Sequence, residues 1–314
     1  MKTNNPFGRS GWTPDRLPDL NGKQVVITGA NSGIGFEAAL ILAARGAKQI
    51  WLCRNVQKAN DAAGQVRAKY STGSIDIVQM DLSDLETVKT AAATVRDKTD
   101  RIDALINNAG IMMIPDRQQT AKGSEKQLGV NHVGHFVLNA LLADLVEAAE
   151  GRFVAVASGA HRFGAMDFDD LMWERTKYTP IAAYGRSKLA NILYIKELDR
   201  RLKAAGRTSI AVGCHPGYSA TNLQSTGPGA VWTAVMKVSN LLMAQRAEYG
   251  AWPTLLAAFD PDAERDGYYG PTGFNETRGA VGVAGRSSAA RSDSDARSLW
   301  DASLELTGVD WGGI

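Results

Sequence analysis

Tyr184 stands four positions before Lys188 in AAYGRSKLAN, residues 182 to 191, a stretch with no proline and one glycine that reads as helix. Residues four apart share one face of a helix, with Cβ atoms about 5 to 6 Å apart, so an ammonium there can act on the phenol oxygen. A phenol with an ordinary pKa of about 10 is a poor proton donor or acceptor at neutral pH. A neighbouring cation favours phenolate, and the spacing therefore predicts that Lys188 lowers the Tyr184 pKa toward the working range. The same pair arises by chance on amphipathic helices, so its surroundings decide its meaning.

A second stretch with chemical content is TGANSGIG, Thr28 to Gly35. Glycines 29, 33 and 35 permit a tight turn and a close backbone approach, and a helix starting near Gly33 aims its first N–H groups at a pyrophosphate. The elements that position both stretches are legible in the pattern. Short apolar runs at 24–28, 49–53, 75–80, 103–107, 152–157 and 209–214 alternate with longer segments rich in Ala, Leu, Glu and Lys at helical spacing, among them 124–150 and 180–205. Runs of that kind are strands buried on both faces. Strand and helix in repeated alternation predict an α/β fold, a doubly wound parallel sheet of Rossmann type in three αβα layers.

No linker divides residues 21 to 215, which predicts one domain: an N-terminal extension at 1–20, a dinucleotide-binding and catalytic core at 21–225, and a substrate lid with C-terminal extension at 226–314. Within the last part, 230–244 is apolar and amphipathic and reads as a lid or, alternatively, a membrane-surface segment, 277–295 reads as a surface loop, and a last helix is expected around 296–306.

Composition excludes several classes. The 35 basic and 33 acidic residues nearly cancel and form no Lys/Arg run of five, so no nucleic-acid partner is expected. Two cysteines, Cys53 and Cys214, each close an apolar run and read as reduced core thiols rather than a disulfide framework. The polar first twenty residues lack a signal peptide's apolar region, and no apolar run of 18 residues occurs, so a cytoplasmic protein without a membrane partner is expected. His132, His135, His161 and His215 lack acidic or cysteine partners at ligand spacing; they read as structural, with no metal site. No nucleophile elbow supports a hydrolase.

Three ordered motifs, TG-x-x-x-GIG at 28–35, NNAG at 107–110 and Tyr-x-x-x-Lys at 184–188, resemble the short-chain dehydrogenase/reductase family. Further matches are Asp81-Leu82, Asn131 in VNHVGHF, Ser158 at the end of the fifth strand, and HPGYSAT at 215–221. The resemblance covers about residues 20 to 225. It extends to the C-terminus for a retinol-dehydrogenase-like branch, also similar to protochlorophyllide reductases, on FDDLMWERTKYTPIAAYGRSKLANILY, GAWPTLLAAFDP and YYGPTGF.

The resemblance implies that Tyr184 is the acid/base and that Lys188 tunes it while bonding the nicotinamide ribose. It implies that Ser158 holds the substrate oxygen and that Asn131 anchors a water-linked relay to Lys188. Ser158 as a cap after its strand and Asn131 as an internal helix polar group stand as the plainer alternatives. Cofactor contacts implied are Gly29, Asn31, Ser32, Gly33, Ile34 and Gly35 in the turn, then Asp81, Leu82, Asn108, Ala109 and Gly110, then Tyr184, Lys188, Pro216, Gly217, Ser219 and Thr221. Asp81 would meet the adenine amino group, and also reads as a helix N-cap.

The second strand ends in WLCRN, with Cys53 where an NAD enzyme of this fold carries an acid, and Arg54 next to it. A guanidinium there suits a 2'-phosphate, so Arg54 joins the cofactor residues and NADP is expected over NAD. Between Ser158 and Tyr184 lie 25 residues, more than in many family members. Phe163, Met166, Phe168, Met172 and Trp173 in that insertion, with Val231, Trp232, Val235, Met236, Leu241, Leu242 and Met243, are expected to line a pocket for an apolar ketone, aldehyde or alcohol. The alternatives are double-bond reduction by the same residues and a non-catalytic NADP-binding scaffold. A homodimer through 124–150 and 180–205, the helices by which family members pair, is the expected assembly.

Overall fold

A computed structural model describes residues 5–70, 73–218 and 246–314. Ser219, Thr221 and the 230–244 segment expected as a lid lie outside the described residues. The strands are Gln24–Thr28 (β1), Lys48–Cys53 (β2), Ile75–Gln79 (β3), Ala104–Asn107 (β4), Arg152–Val156 (β5), Ile210–Cys214 (β6), Tyr268–Pro271 (β7) and Val281–Val283 (β8). They form one sheet in the order β3-β2-β1-β4-β5-β6-β7-β8. Neighbours from β3 to β7 pair parallel and β8 closes the edge antiparallel.

The helices are Gly33–Ala44 (α1), Val56–Lys69 (α2), Leu85–Lys98 (α3), the short Lys126–Leu128 (α4), Gly134–Ala148 (α5), Pro180–Ala204 (α6), Ala247–Phe259 (α7) and Asp293–Thr307 (α8). Side chains alternate across each strand. In β1, Val25 and Ile27 enter a core shared with α1, α2 and α7, while Val26 enters the opposite core with α3, α5, α6 and α8. Both faces are thus covered, which is why the strands are continuously apolar. Among the described residues no helix is long and apolar enough to cross a membrane.

Two local expectations are corrected. The helix read over 124–150 is α4, then a π turn over Gly129–Val133, then α5. The stretch 277–295, read as a loop, contains β8 and a 3-10 turn at Ala289–Arg291, and β7 also passed unread. Strands of three and four residues containing glycine are too short to show a period. Trp12 in the N-terminal stretch is fully buried, forms a bridge with Val281, and donates its indole N–H to Asp260 Oδ2 at 2.6 Å.

The strand order reverses between β1 and β4, so their carboxyl ends open a crevice where ligands bind in sheets of this kind. Thr28-Gly29 leaves β1 there, and Asn108 to Gly110 follows β4.

Candidate active site

The glycine turn is held against the end of β4 by a short network. Thr28 Oγ1 accepts from the backbone N–H of Asn108 at 3.0 Å and of Ala109 at 2.9 Å. Asn108 Nδ2 donates to the carbonyls of Thr28 at 2.9 Å and Gly29 at 3.2 Å. Gly29 and Gly33 lie at φ +68° and +57°, a region that favours glycine. A Cβ on Gly35 would meet Asn108 Nδ2 and, at 2.5 Å, the Gly29 carbonyl. The start of α1 therefore sits hard against the turn, and Ser32, its N-cap, makes no side-chain cap bond. The first N–H groups of α1 remain available to an anion. This cradle fits a dinucleotide pyrophosphate, and Asn31, Ser32 and Ile34 stand in or beside it.

Asn131 lies in the π turn ahead of α5 and is 1 % exposed. Its amide clasps Ile111, accepting from the backbone N–H at 2.8 Å and donating to the carbonyl at 2.9 Å; Nδ2 also donates to Ser187 Oγ at 2.9 Å. Lys188 Nζ donates to the Val156 carbonyl at the end of β5 at 2.9 Å, leaving two of its N–H donors for other acceptors. A Cβ placed on Gly110 would be 3.0 Å from Asn131 Oδ1 and 3.5 Å from Lys188 Nζ. The end of the NNAG motif, Asn131 and Lys188 thus meet at one point. Ser158 Oγ accepts from Ala160 N at 3.1 Å and caps the turn Gly159–Phe163, so the plainer reading of this serine is realised. Ser158 also lies near enough to the Tyr184 phenol to favour its charged form.

The electrostatics differ from the sequence expectation. Tyr184 is 8 % exposed; burial pushes its pKa up, and Ser158 is what opposes that rise. Lys188 lies 5.9 Å from the Tyr184 ring centroid and its own pKa is brought down to about 8 by burial. The expected lowering of the phenol by the lysine is therefore corrected: burial raises it. Desolvation disfavours both charged forms.

The other expected residues fall as follows. Leu82 is buried against Gly134, and Asp81 Oδ1 accepts from Ser83 N and Oγ at 2.9 and 2.7 Å. Asp81 is not the cap of α3; Asp84 is, accepting from Glu86 N at 3.0 Å. Cys53 is buried and Arg54, just past β2, is exposed. Pro216 and Gly217 follow β6; Gly217, at φ +68°, donates to His215 Nδ1 at 3.2 Å.

In the insertion, Phe163 and Phe168 face solvent, whereas Met166 and Met172 pack against the core. Arg186, between Tyr184 and Lys188 on α6, binds the insertion by donating to the carbonyls of Ala165, Asp170 and Leu171 at 2.9, 2.7 and 3.0 Å. Its guanidinium also covers the Trp173 ring at 4.1 Å. Sequence reading missed Arg186 as that clamp, and it left Thr28 out of the cofactor residues. Their places inside the motifs were the available signal. Among the described residues no group of metal-binding side chains occurs, and both cysteines are free and buried.

Comparison with known proteins follows this geometry. The family model for short chain dehydrogenase matches residues 23–228. Human retinol dehydrogenase 13 is 38 % identical over 298 residues, covering 93 % of this chain and 86 % of the relative. Mouse retinol dehydrogenase 12 is 37 % identical over 294 residues, covering 93 % and 88 %. Among solved structures, an uncharacterized protein from Mycobacterium Paratuberculosis superposes with a TM-score of 0.80 at 38 % identity, covering 96 % of this chain and 99 % of that one. Pseudomonas aeruginosa RhlG, solved as an NADP active-site complex, shares the fold with a TM-score of 0.63 at 21 % identity over 82 % of this chain and 96 % of its own.

Proposed function

This chain belongs to the short-chain dehydrogenase family of oxidoreductases, in its retinol-dehydrogenase-like branch, and from that premise we propose that it interconverts an apolar ketone or aldehyde with the corresponding alcohol using NADP. One observation supports the reading: Asn131 and Lys188 meet beside Gly110 at the crevice end of a glycine cradle, with the Tyr184 ring centroid 5.9 Å from Lys188 Nζ. A nicotinamide dinucleotide supplies or accepts the hydride when bound.

The proton chemistry is the chain's own. In the reductive direction Tyr184, a protonated phenol in its buried site, donates its proton to the carbonyl oxygen as hydride reaches the carbon. Ser158 holds that oxygen, and its hydroxyl then favours the phenolate left on Tyr184. Lys188, fixed by the Val156 carbonyl, adds positive charge beside that phenolate and keeps donors for ribose hydroxyls. Asn131 holds the chain at Ile111 and anchors the relay toward Lys188. Arg54 supports NADP over NAD as an exposed cation where an acid would repel a 2'-phosphate. An apolar substrate is proposed from the apolar residues of the insertion, of which Met166 and Met172 pack against the core and Phe163 and Phe168 are exposed. The proposed setting is the cytoplasm.

The test follows reduced-nicotinamide absorbance against a panel of apolar carbonyls, with NADPH and NADH side by side. Wild-type protein is expected to turn over with NADPH, and Tyr184→Phe to lose about a hundredfold or more, the usual reach of a general acid. Unchanged turnover in that variant removes Tyr184 from the role. Consumption with saturated-bond products instead of alcohols replaces carbonyl reduction by double-bond reduction, and stabilisation by NADP without turnover on any substrate leaves a binding scaffold.

A further inference from the structure

His132 and His135 stand three apart and are both buried, at 2 % and 3 % exposed, yet their partners differ in kind. His132 Nε2 meets Ser303 Oγ of α8 at 2.8 Å. His135 spans two parts of the candidate site. Its Nδ1 lies 3.2 Å from the main-chain carbonyl of Asn131, and its Nε2 lies 2.9 Å from Thr28 Oγ1. A carbonyl only accepts, so Nδ1 carries the hydrogen and donates to Asn131; Nε2 is then an acceptor for the Thr28 hydroxyl. That leaves the lone pairs of Thr28 Oγ1 for the N–H groups of Asn108 and Ala109, which they meet at 3.0 and 2.9 Å. The Thr28 hydroxyl also lies 3.4 Å from the Ile106 carbonyl, against 2.9 Å to His135 Nε2, so the imidazole is its nearer acceptor.

We propose that His135 is a positioning residue of this site: its neutral imidazole fixes the Asn131 carbonyl relative to the glycine cradle, so that dinucleotide binding and the proton-handling group are held in one frame. The inference rests on the dehydrogenase reading above. The backbone alone does not supply this link. Asn131 sits in a π turn, where the amide-to-carbonyl ladder runs i to i+5, and such turns recur at functional sites. The imidazole four residues on gives that carbonyl a donor and ties the turn across to β1. A buried apolar residue in its place would fill the space and leave the Asn131 carbonyl and the Thr28 hydroxyl without those bonds.

The test compares His135→Phe, His135→Gln and His132→Phe in the full chain, measuring NADPH Kd by fluorescence, kcat with an apolar carbonyl, and Tm. His135→Phe is expected to weaken NADPH binding about tenfold and lower kcat by a similar factor, the scale of losing a buried hydrogen-bonded link. His135→Gln, which offers a donor and an acceptor, recovers most of both. His132→Phe lowers Tm while Kd and kcat stay at wild-type values. The proposal is overturned if His135→Phe behaves like His132→Phe, or if His135→Gln recovers nothing. Should His135→Phe not fold, His135→Leu set against His135→Gln makes the same comparison. Wild-type protein that neither binds NADPH nor turns over would sink the dehydrogenase reading and this inference together; a functional wild type with unaffected His135 variants sinks this one alone.

Discussion

Tyr184 and Lys188 act as a pair whose protonation states are set by burial as much as by each other. Lys188 is brought from its ordinary value down to about 8, so its cationic form is present at neutrality and is lost as pH rises through that value. Tyr184 is held protonated to higher pH, so it does not limit the supply of protons in the neutral range. In the proposed reduction the phenolate left on Tyr184 would need the lysine charge. We therefore expect kcat/KM for NADPH-driven carbonyl reduction, which reports groups of the free enzyme, to fall as pH rises beyond about 8. A profile flat from neutrality well past that point removes Lys188 from this role.

At the scale of elements, the turn from β1 to α1 shows how backbone geometry makes a binding surface. Gly35 belongs to α1, where alanine is ordinarily favoured over glycine by about 1 kcal/mol. Its added Cβ meets Asn108 Nδ2 and the Gly29 carbonyl, backbone and amide groups that the Thr28 network holds still. Gly35→Ala is expected to cost about 1 to 3 kcal/mol of stability through overpacking and to weaken NADPH binding. Gly64 is the control: it is exposed in α2 with nothing within 4 Å of its added Cβ, and Gly64→Ala should stabilise by about 0.5 to 1 kcal/mol. Thermal unfolding of both variants, with an NADPH titration of each, checks the pair. If Gly35→Ala binds NADPH as wild type does, the close approach of α1 is not what shapes the cradle.

At the scale of the whole molecule, distant parts of the chain close on one another around the sheet. Trp12 reaches Asp260 and Val281, and α8 lies across α6, where Trp300 stacks on Tyr194 at 6.2 Å and Lys196 pairs with Asp293 at 2.8 Å. A homodimer built on α5 and α6 would have to use the surface that α8 leaves open. The same closure buries histidines: burial lowers His132 to about 3 and His135 to about 4, against about 6.5 in the unfolded chain. Between those values the unfolded state binds more protons, so their contribution is complete above 6.5 and is lost as pH falls toward 4. Each is on the order of 3 kcal/mol, and Tm should drop by about 5 °C between pH 7 and 5, restored in part in a His132→Phe variant relative to its own neutral value. A Tm independent of pH over that range would show the histidines to be protonated or exposed.

The sequence by itself determined the α/β class, the six parallel strands from Gln24 to Cys214, and the family, because each rests on local pattern: buried runs, glycine spacing and the order of three motifs. It did not contain the short edge strands β7 and β8, whose three or four residues hold no period and which exist only because β6 offers an open edge. Nor did it contain the division of labour between His132 and His135, identical in type and burial until α8 and β1 supply their partners. The direction of the Tyr184 shift was also out of reach. Helical spacing fixes which charge is near, but the solvent removed from around the phenol is set by how α6 packs on the end of β5, and here that desolvation is the larger effect.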